Sequence, residues 1–216
     1  MRRLMVLEGL DGSGKSTQFE RILMRFQKEG KAVRGISFPD YNEPSSALVR
    51  MYLDGELGDS ATEVNAYAAS SFYAVDRYAS FVRHWKKDYE AGTWILSARY
   101  TTSNLIYQMA KLPREQWEEY LTWLLDYEYK RLALPRPDRV IFLDVPLEIS
   151  QDLLLSRYGG DASKKDLHER DNRYLRQCRE CALYAAERLG WEVIPCARDG
   201  CILPIDTITQ EIWERL

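Results

Sequence analysis

No apolar run in these 216 residues approaches the roughly 18 that a membrane-crossing helix needs. The start of the chain also lacks a secretory core. Arg2 and Arg3 precede only Leu4-Met5-Val6-Leu7 before Glu8 and Gly9 end the run. Charge of one sign is scarce: the net charge of −3 argues against a protein whose main work is coating nucleic acid. The chain contains no Asn-Lys-x-Asp string of the kind guanine-reading GTPases use, and no repeat, low-complexity tract or linker. Cysteine is limited to Cys178, Cys181, Cys196 and Cys201. Their C-x2-C and C-x4-C spacing invites a zinc reading. Yet Cys178 and Cys181 lie three apart in a helical pattern and Cys196 ends a strand, so unlinked thiols in a reducing compartment are expected. These absences predict a cytoplasmic protein with neither nucleic acid nor membrane as partner. With 45% hydrophobic residues the chain can fill one sizeable core.

What is present alternates. Short apolar runs at 3–8, 31–38, 93–98, 139–145 and 192–195 read as buried strands. Helical spacing fills 16–29, 45–53, 62–90, 100–112, 114–132, 147–156, 172–189 and 205–216. The pattern predicts an α/β fold, a five-stranded doubly wound parallel sheet flanked by helices, in one domain spanning 1–216.

Between the first strand and the first helix stands Gly9-Leu10-Asp11-Gly12-Ser13-Gly14-Lys15-Ser16, which fits G-x-x-x-x-G-K-[ST] in its required context. Glycines let backbone N–H groups turn inward as an anion nest, and the helix N-terminus adds partial positive charge. Lys15 is placed to span the β- and γ-phosphates of a nucleoside triphosphate, and the Ser16 hydroxyl to ligate Mg²⁺. Gly9, Asp11, Gly12, Ser13, Gly14, Lys15, Ser16 and Thr17 are therefore the expected ATP-binding set.

A kinase for a small substrate needs a second pocket and a cover. Arg99 follows the third strand, and ligands in such sheets lie beyond the carboxyl ends of the strands, so Arg99 is placed to meet a phosphate. Tyr73 and Arg77 fall four apart on a helix, a spacing suited to stacking on a base while bonding its edge. Taken singly, either segment reads equally well as core packing or surface charge.

Together with the loop, these residues resemble the thymidylate kinase family. The opening Leu7-Glu8-Gly9-Leu10-Asp11-Gly12-Ser13-Gly14-Lys15-Ser16-Thr17-Gln18 is similar to the family's L-E-G-x-D-G-x-G-K-S-T-Q. Arg99-Tyr100-x-x-Ser103-Asn104-x-x-Tyr107-Gln108 is similar to D-R-Y-x-x-S-[SN]-x-A-Y-Q, and Phe38-Pro39 and Gly55-Glu56-Leu57-Gly58 match further landmarks. The resemblance implies a P-loop kinase that moves the γ-phosphate of ATP to dTMP with Mg²⁺, as a homodimer packed through the 62–90 helix. It implies that Tyr73 stacks on thymine, Arg77 and Asn104 read the base edge, and Tyr107 packs beside C2′. Arg99 would hold the acceptor phosphate, Phe38, Pro39 and Tyr100 would border the substrate, and Asp11 would lie between its sugar and the metal shell. Arg157 would stand near adenine, beside the 197–201 loop.

Three departures stand out. Ala98 replaces the family's aspartate, which leaves Mg²⁺ to Ser16, phosphate oxygens, and Asp11 or Glu8. Asp40 and Tyr41 follow Pro39 where relatives carry an acceptor-phosphate arginine; Arg50 is one substitute. Gly12 means that the loop carries no arginine, so basic residues of a lid at 157–170 are expected to act, with Lys164 and Lys165 as catalytic candidates. Two other readings remain open at this point: a deoxynucleoside kinase, and a nucleotide-binding regulator without turnover.

Overall fold

Leu4–Gly9 forms β1, and every one of its residues is buried, as a strand covered on both faces must be. The computed structural model describes residues 3–60, 62–161 and 171–216. After β1 come α1 (Lys15–Lys28), β2 (Val33–Ser37), α2 (Ala47–Leu53), α3 (Ala66–Ser80) and α4 (Lys86–Ala91). The middle of the chain gives β3 (Trp94–Ala98), α5 (Thr102–Tyr107), α6 (Trp117–Asp126), β4 (Arg139–Asp144) and α7 (Leu147–Arg157). It closes with α8 (Asn172–Leu189), β5 (Glu192–Pro195), the hairpin β6 (Ala197–Arg198) and β7 (Cys201–Ile202), and α9 (Ile205–Glu214).

The five main strands pair in parallel in the order β2-β3-β1-β4-β5, as the strand–helix alternation predicts. Successive side chains of β1 enter opposite cores. Leu4 and Val6 pack with Leu105, Tyr120, Leu124 and Leu175 of α5, α6 and α8. Met5 and Leu7 pack with Ile22 and Phe26 of α1 and Ile208 and Ile212 of α9. Cys178 and Cys181 belong to the first core and Cys196 to the second, while Cys201 is exposed, so the sheet separates the thiols. Among the described residues no helix is long and apolar enough to cross a membrane.

The predicted 62–90 helix starts later, at Ala66, where the Asn65 side chain accepts from Ala68 N at 2.9 Å. Ser70 and Ser71 do not break it, because their hydroxyls donate back to the carbonyls of Ala66 and Tyr67 at 2.6 and 2.9 Å. Its real interruption is a π turn at Phe81–Trp85, where the two ring centroids pack 4.5 Å apart. The 114–132 helix is α6 followed by a second π turn, Tyr127–Arg131. The 100–112 helix is α5 followed by a 3₁₀ turn, Met109–Lys111, and it starts late because Arg99 turns the chain with φ 66° before it.

In this strand order β1 connects through α1 to one side, and β3 through α5 and α6 to the other. The crevice between their carboxyl ends is where such folds receive ligands.

Candidate functional site

The loop after β1 owes its shape to its glycines. Gly12 has φ +79°, and a Cβ there would stand 2.1 Å from the Ser150 carbonyl oxygen of α7. No side chain fits at that position. Gly14, with φ 78°, caps α1, whose first turn carries no acidic residue to oppose an anion. Lys15 is buried, and its Nζ donates to the carbonyls of Gly9 and Leu10, each at 2.8 Å. Burial, and then the charge of Arg99, lower its pKa to about 7. Arg157, at the end of α7, is near enough to act in the same direction. The Ser13 hydroxyl is buried and has no partner among the described residues, and Ser16 stands exposed in the first turn of α1.

Facing this loop, Arg99 adopts a left-handed backbone that costs a non-glycine residue about 1 kcal/mol. Its guanidinium pairs with the Asp11 carboxylate and lies over the Tyr107 ring, 4.9 Å from the centroid. The Tyr107 hydroxyl donates to Asp11 Oδ2 at 3.0 Å and receives from Arg99 Nη2 at 3.2 Å. Glu8 holds the start of α5 in place: its carboxylate accepts from Tyr100 N at 3.2 Å, Thr102 Oγ1 at 2.6 Å and Ser103 Oγ at 2.8 Å. With those bonds Glu8 is fully buried. Ala98 lies in register with Leu7 on one side and Ser37 on the other.

Beside this cluster opens a pocket. It brings together all nine residues expected to meet the substrate: Asp11, Phe38, Pro39, Tyr73, Arg77, Arg99, Tyr100, Asn104 and Tyr107. Phe38 packs 6.0 Å from Tyr100, and a cis peptide joins it to Pro39. Asp76 of α3 anchors this wall, accepting from Asp40 N at 2.8 Å and Ser45 Oγ at 2.7 Å. Tyr73 stands edge-on to Tyr52, centroids 6.4 Å apart. Arg77 is 1% exposed, with its Nε 2.8 Å from Glu128 Oε2. Asn104 donates to Glu128 Oε1 at 3.0 Å. Among the described residues Arg77 and Arg99 are the cationic side chains lining the pocket; Arg50 instead donates to the Tyr41 carbonyl at 3.0 Å.

Tyr41, Leu53, Ser103 and Gln108 also line the pocket, and the sequence assigns none of them a substrate contact. Ser103 and Gln108 were discoverable, since 100, 103, 104, 107 and 108 form one helical stripe. Tyr41 and Leu53 carry no such signal. Glu128 does: it extends the buried α6 stripe Trp117, Tyr120, Leu121, Leu124 with a charge. Lys164 and Lys165, and most of the 157–170 lid, lie outside the described residues. The 197–201 loop proves to be the β6–β7 hairpin.

A family model described as thymidylate kinase matches residues 7–199. A thymidylate kinase of Mycobacterium tuberculosis is 31% identical over 193 residues, covering 87% of each chain. A probable thymidylate kinase of Thermococcus kodakarensis is 32% identical over 155 residues, 71% of each. The fold matches the solved thymidylate kinase of Candida albicans with a TM-score of 0.70 at 22% identity, covering 99% of this chain and 90% of that one.

Proposed function

We infer what individual residues do from the premise that this chain belongs to the thymidylate kinase family, as an enzyme that transfers the γ-phosphate of ATP to dTMP and yields dTDP and ADP. The observation that carries the residue roles is the juxtaposition of two unlike surfaces: a phosphate cradle around Lys15, and a pocket with an aromatic wall and polar floor, joined through Asp11 and Arg99.

In this reading the amides of residues 12–17 and the Lys15 ammonium hold the donor phosphates, with Arg157 toward the adenosine side. Tyr73 stacks on the thymine ring, while Arg77 and Asn104 meet its edge. Tyr107 lies against the sugar where a ribose would carry its 2′-hydroxyl, and Phe38, Pro39 and Tyr100 close the walls. Arg99 binds the acceptor phosphate and aligns its oxygen for in-line attack, a reaction in which positioning and charge stabilisation do most of the catalysis. Lys164 and Lys165 are assigned to the lid as further sources of positive charge.

The residues present fit Mg²⁺. Ser16 and Asp11 offer hard oxygen, and among the described residues no set of three or more acidic, His or Cys side chains forms a cage. Magnesium is usually held that way, by few protein ligands with phosphate and water completing its shell. When bound, the ion offsets phosphate charge. Dimerisation is supported by an apolar stripe, Val75, Tyr78 and Val82, running from α3 into its π turn and 45–51% exposed. Four unlinked cysteines support a cytoplasmic setting.

The test is ADP release with ATP and Mg²⁺ across a panel of nucleoside monophosphates and thymidine. dTMP is expected to give the highest kcat/KM. Equal rates for thymidine, which has no phosphate for Arg99, would refute the acceptor assignment.

A further inference from the structure

Glu128 reaches the polar floor of the pocket from the π turn after α6. It is fully buried, and it touches both side chains assigned to the base edge. Its two oxygens take the Nε and Nη2 of Arg77. Oε1 also takes Asn104 Nδ2 at 3.0 Å, and Nδ2 reaches the Ser70 carbonyl at 3.3 Å. An asparagine amide has two N–H donors and one acceptor oxygen. With both donors engaged, only Oδ1 is left for a ligand. Turning the amide over would set Oδ1 against the Glu128 carboxylate and the Ser70 carbonyl, oxygen facing oxygen. Arg77 can donate but never accept, and its Nε edge is already taken.

We propose that Glu128 is a positioning residue that sets pyrimidine selectivity: it forces Asn104 to present an acceptor beside the donor Arg77. A base with N3–H and a C4 carbonyl, such as thymine, matches that pair. Cytosine, with a bare N3 and a C4 amino group, sets acceptor against acceptor and donor against donor. Discrimination of this kind is strong because the wrong base leaves buried polar groups unpaired. The inference rests on the reading that Arg77 and Asn104 meet the base.

Steady-state kinetics with dTMP and dCMP test it. Glu128→Gln turns one of the two carboxylate acceptors into an NH₂ donor, which weakens the shared hold on Arg77 and Asn104 and frees the Asn104 amide to present Nδ2 to the ligand. The expected result is a rise of about tenfold or more in KM for dTMP, a fall of similar size in the dTMP-to-dCMP ratio of kcat/KM, and a KM for ATP changed less than about twofold. Glu128→Asp keeps only acceptors facing Asn104, and holds the ratio within about threefold even where KM rises. Equal losses toward both nucleotides in Glu128→Gln, with the ratio intact, would reduce Glu128 to a structural role and overturn the proposal. Arg77→Ala and Asn104→Ala separate the two failures. If neither raises the KM for dTMP, the base-edge reading itself falls. If both do and the Glu128→Gln ratio is unchanged, only the Glu128 inference falls. Should Glu128→Gln not fold, the unaltered protein gives the answer with 3-deaza-dTMP, which lacks the N3 donor. A KM about tenfold above that for dTMP supports the Asn104 acceptor that the proposal requires, and an equal KM overturns the proposal.

Discussion

Arg99 donates to the Asp11 carboxylate across the gap between the ends of β3 and β1. The pair puts the cation assigned to the acceptor phosphate against the loop assigned to the donor, with Tyr107 bonded to both partners. Burial alone would disfavour the Arg99 charge, yet Asp11 and Tyr107 more than offset it and hold its pKa well above the usual arginine value. Arg99→Ala is expected to lower kcat/KM for dTMP by about a hundredfold or more, because a positioned charged donor is lost at the reacting group. A KM for ATP that rises by the same factor would place Arg99 on the donor side instead.

Lys15 predicts a proton linkage. Its pKa of about 7 leaves it mostly neutral near pH 8 in the ligand-free protein, and a triphosphate beside it favours the charged form. ATP binding near pH 8 should therefore take up close to one proton per site. Calorimetry in buffers of different ionisation enthalpy measures this, and Lys15→Met should abolish it. The sign for stability follows. Between about 7 and the ordinary value of 10.5 the unfolded chain binds more protons at this group than the folded one. Its contribution to ligand-free stability should thus grow as pH rises through that window.

Gly12→Ala brings a methyl group onto the Ser150 carbonyl and a side chain into a left-handed conformation. A loss of about 2 kcal/mol in stability is expected, together with at least a tenfold loss in ATP affinity. Thermal unfolding and nucleotide titration read the two effects separately. Wild-type values for both would mean that α7 gives way freely.

Ala133 is exposed with φ 53°, a conformation that glycine adopts without strain. Ala133→Gly should therefore leave activity unchanged and raise stability by up to about 1 kcal/mol. A fall in the denaturation midpoint would show that entropy in the unfolded chain outweighs the relieved strain.

Val82→Glu sets a charge in the exposed stripe with Val75 and Tyr78. In sedimentation it should shift the dimer toward monomer by at least tenfold in Kd, with the fold intact by circular dichroism. A monomeric parent protein would remove the dimer proposal altogether.

The sheet, the glycine loop and most helix positions could be read locally, because strand burial and helical spacing are short-range signals. α8 starts and stops where its spacing predicts, since Asp171 caps its first turn, accepting from Arg173 N at 2.9 Å and Tyr174 N at 3.0 Å, and Gly190 ends it. The Tyr100 to Gln108 stripe was equally open to reading. The π turns were not: they slip the backbone by one residue where bulky side chains such as Trp85 pack into the core, a tertiary cause. Glu128 sits 51 residues from Arg77, so no local spacing links the two. The emptiness required at Gly12 comes from Ser150, still farther along the chain.

That contact has an evolutionary consequence. An arginine in the loop cannot arise at position 12 by one substitution, because the Ser150 carbonyl already occupies the space its first carbon would need. Supplying positive charge from the loop would require α7 to move first, and α7 also ends in Arg157, close enough to act on the Lys15 charge. The two ways of charging such a site are thus separated by a backbone rearrangement rather than by a codon, and a lineage that has packed its helix here is held to its choice.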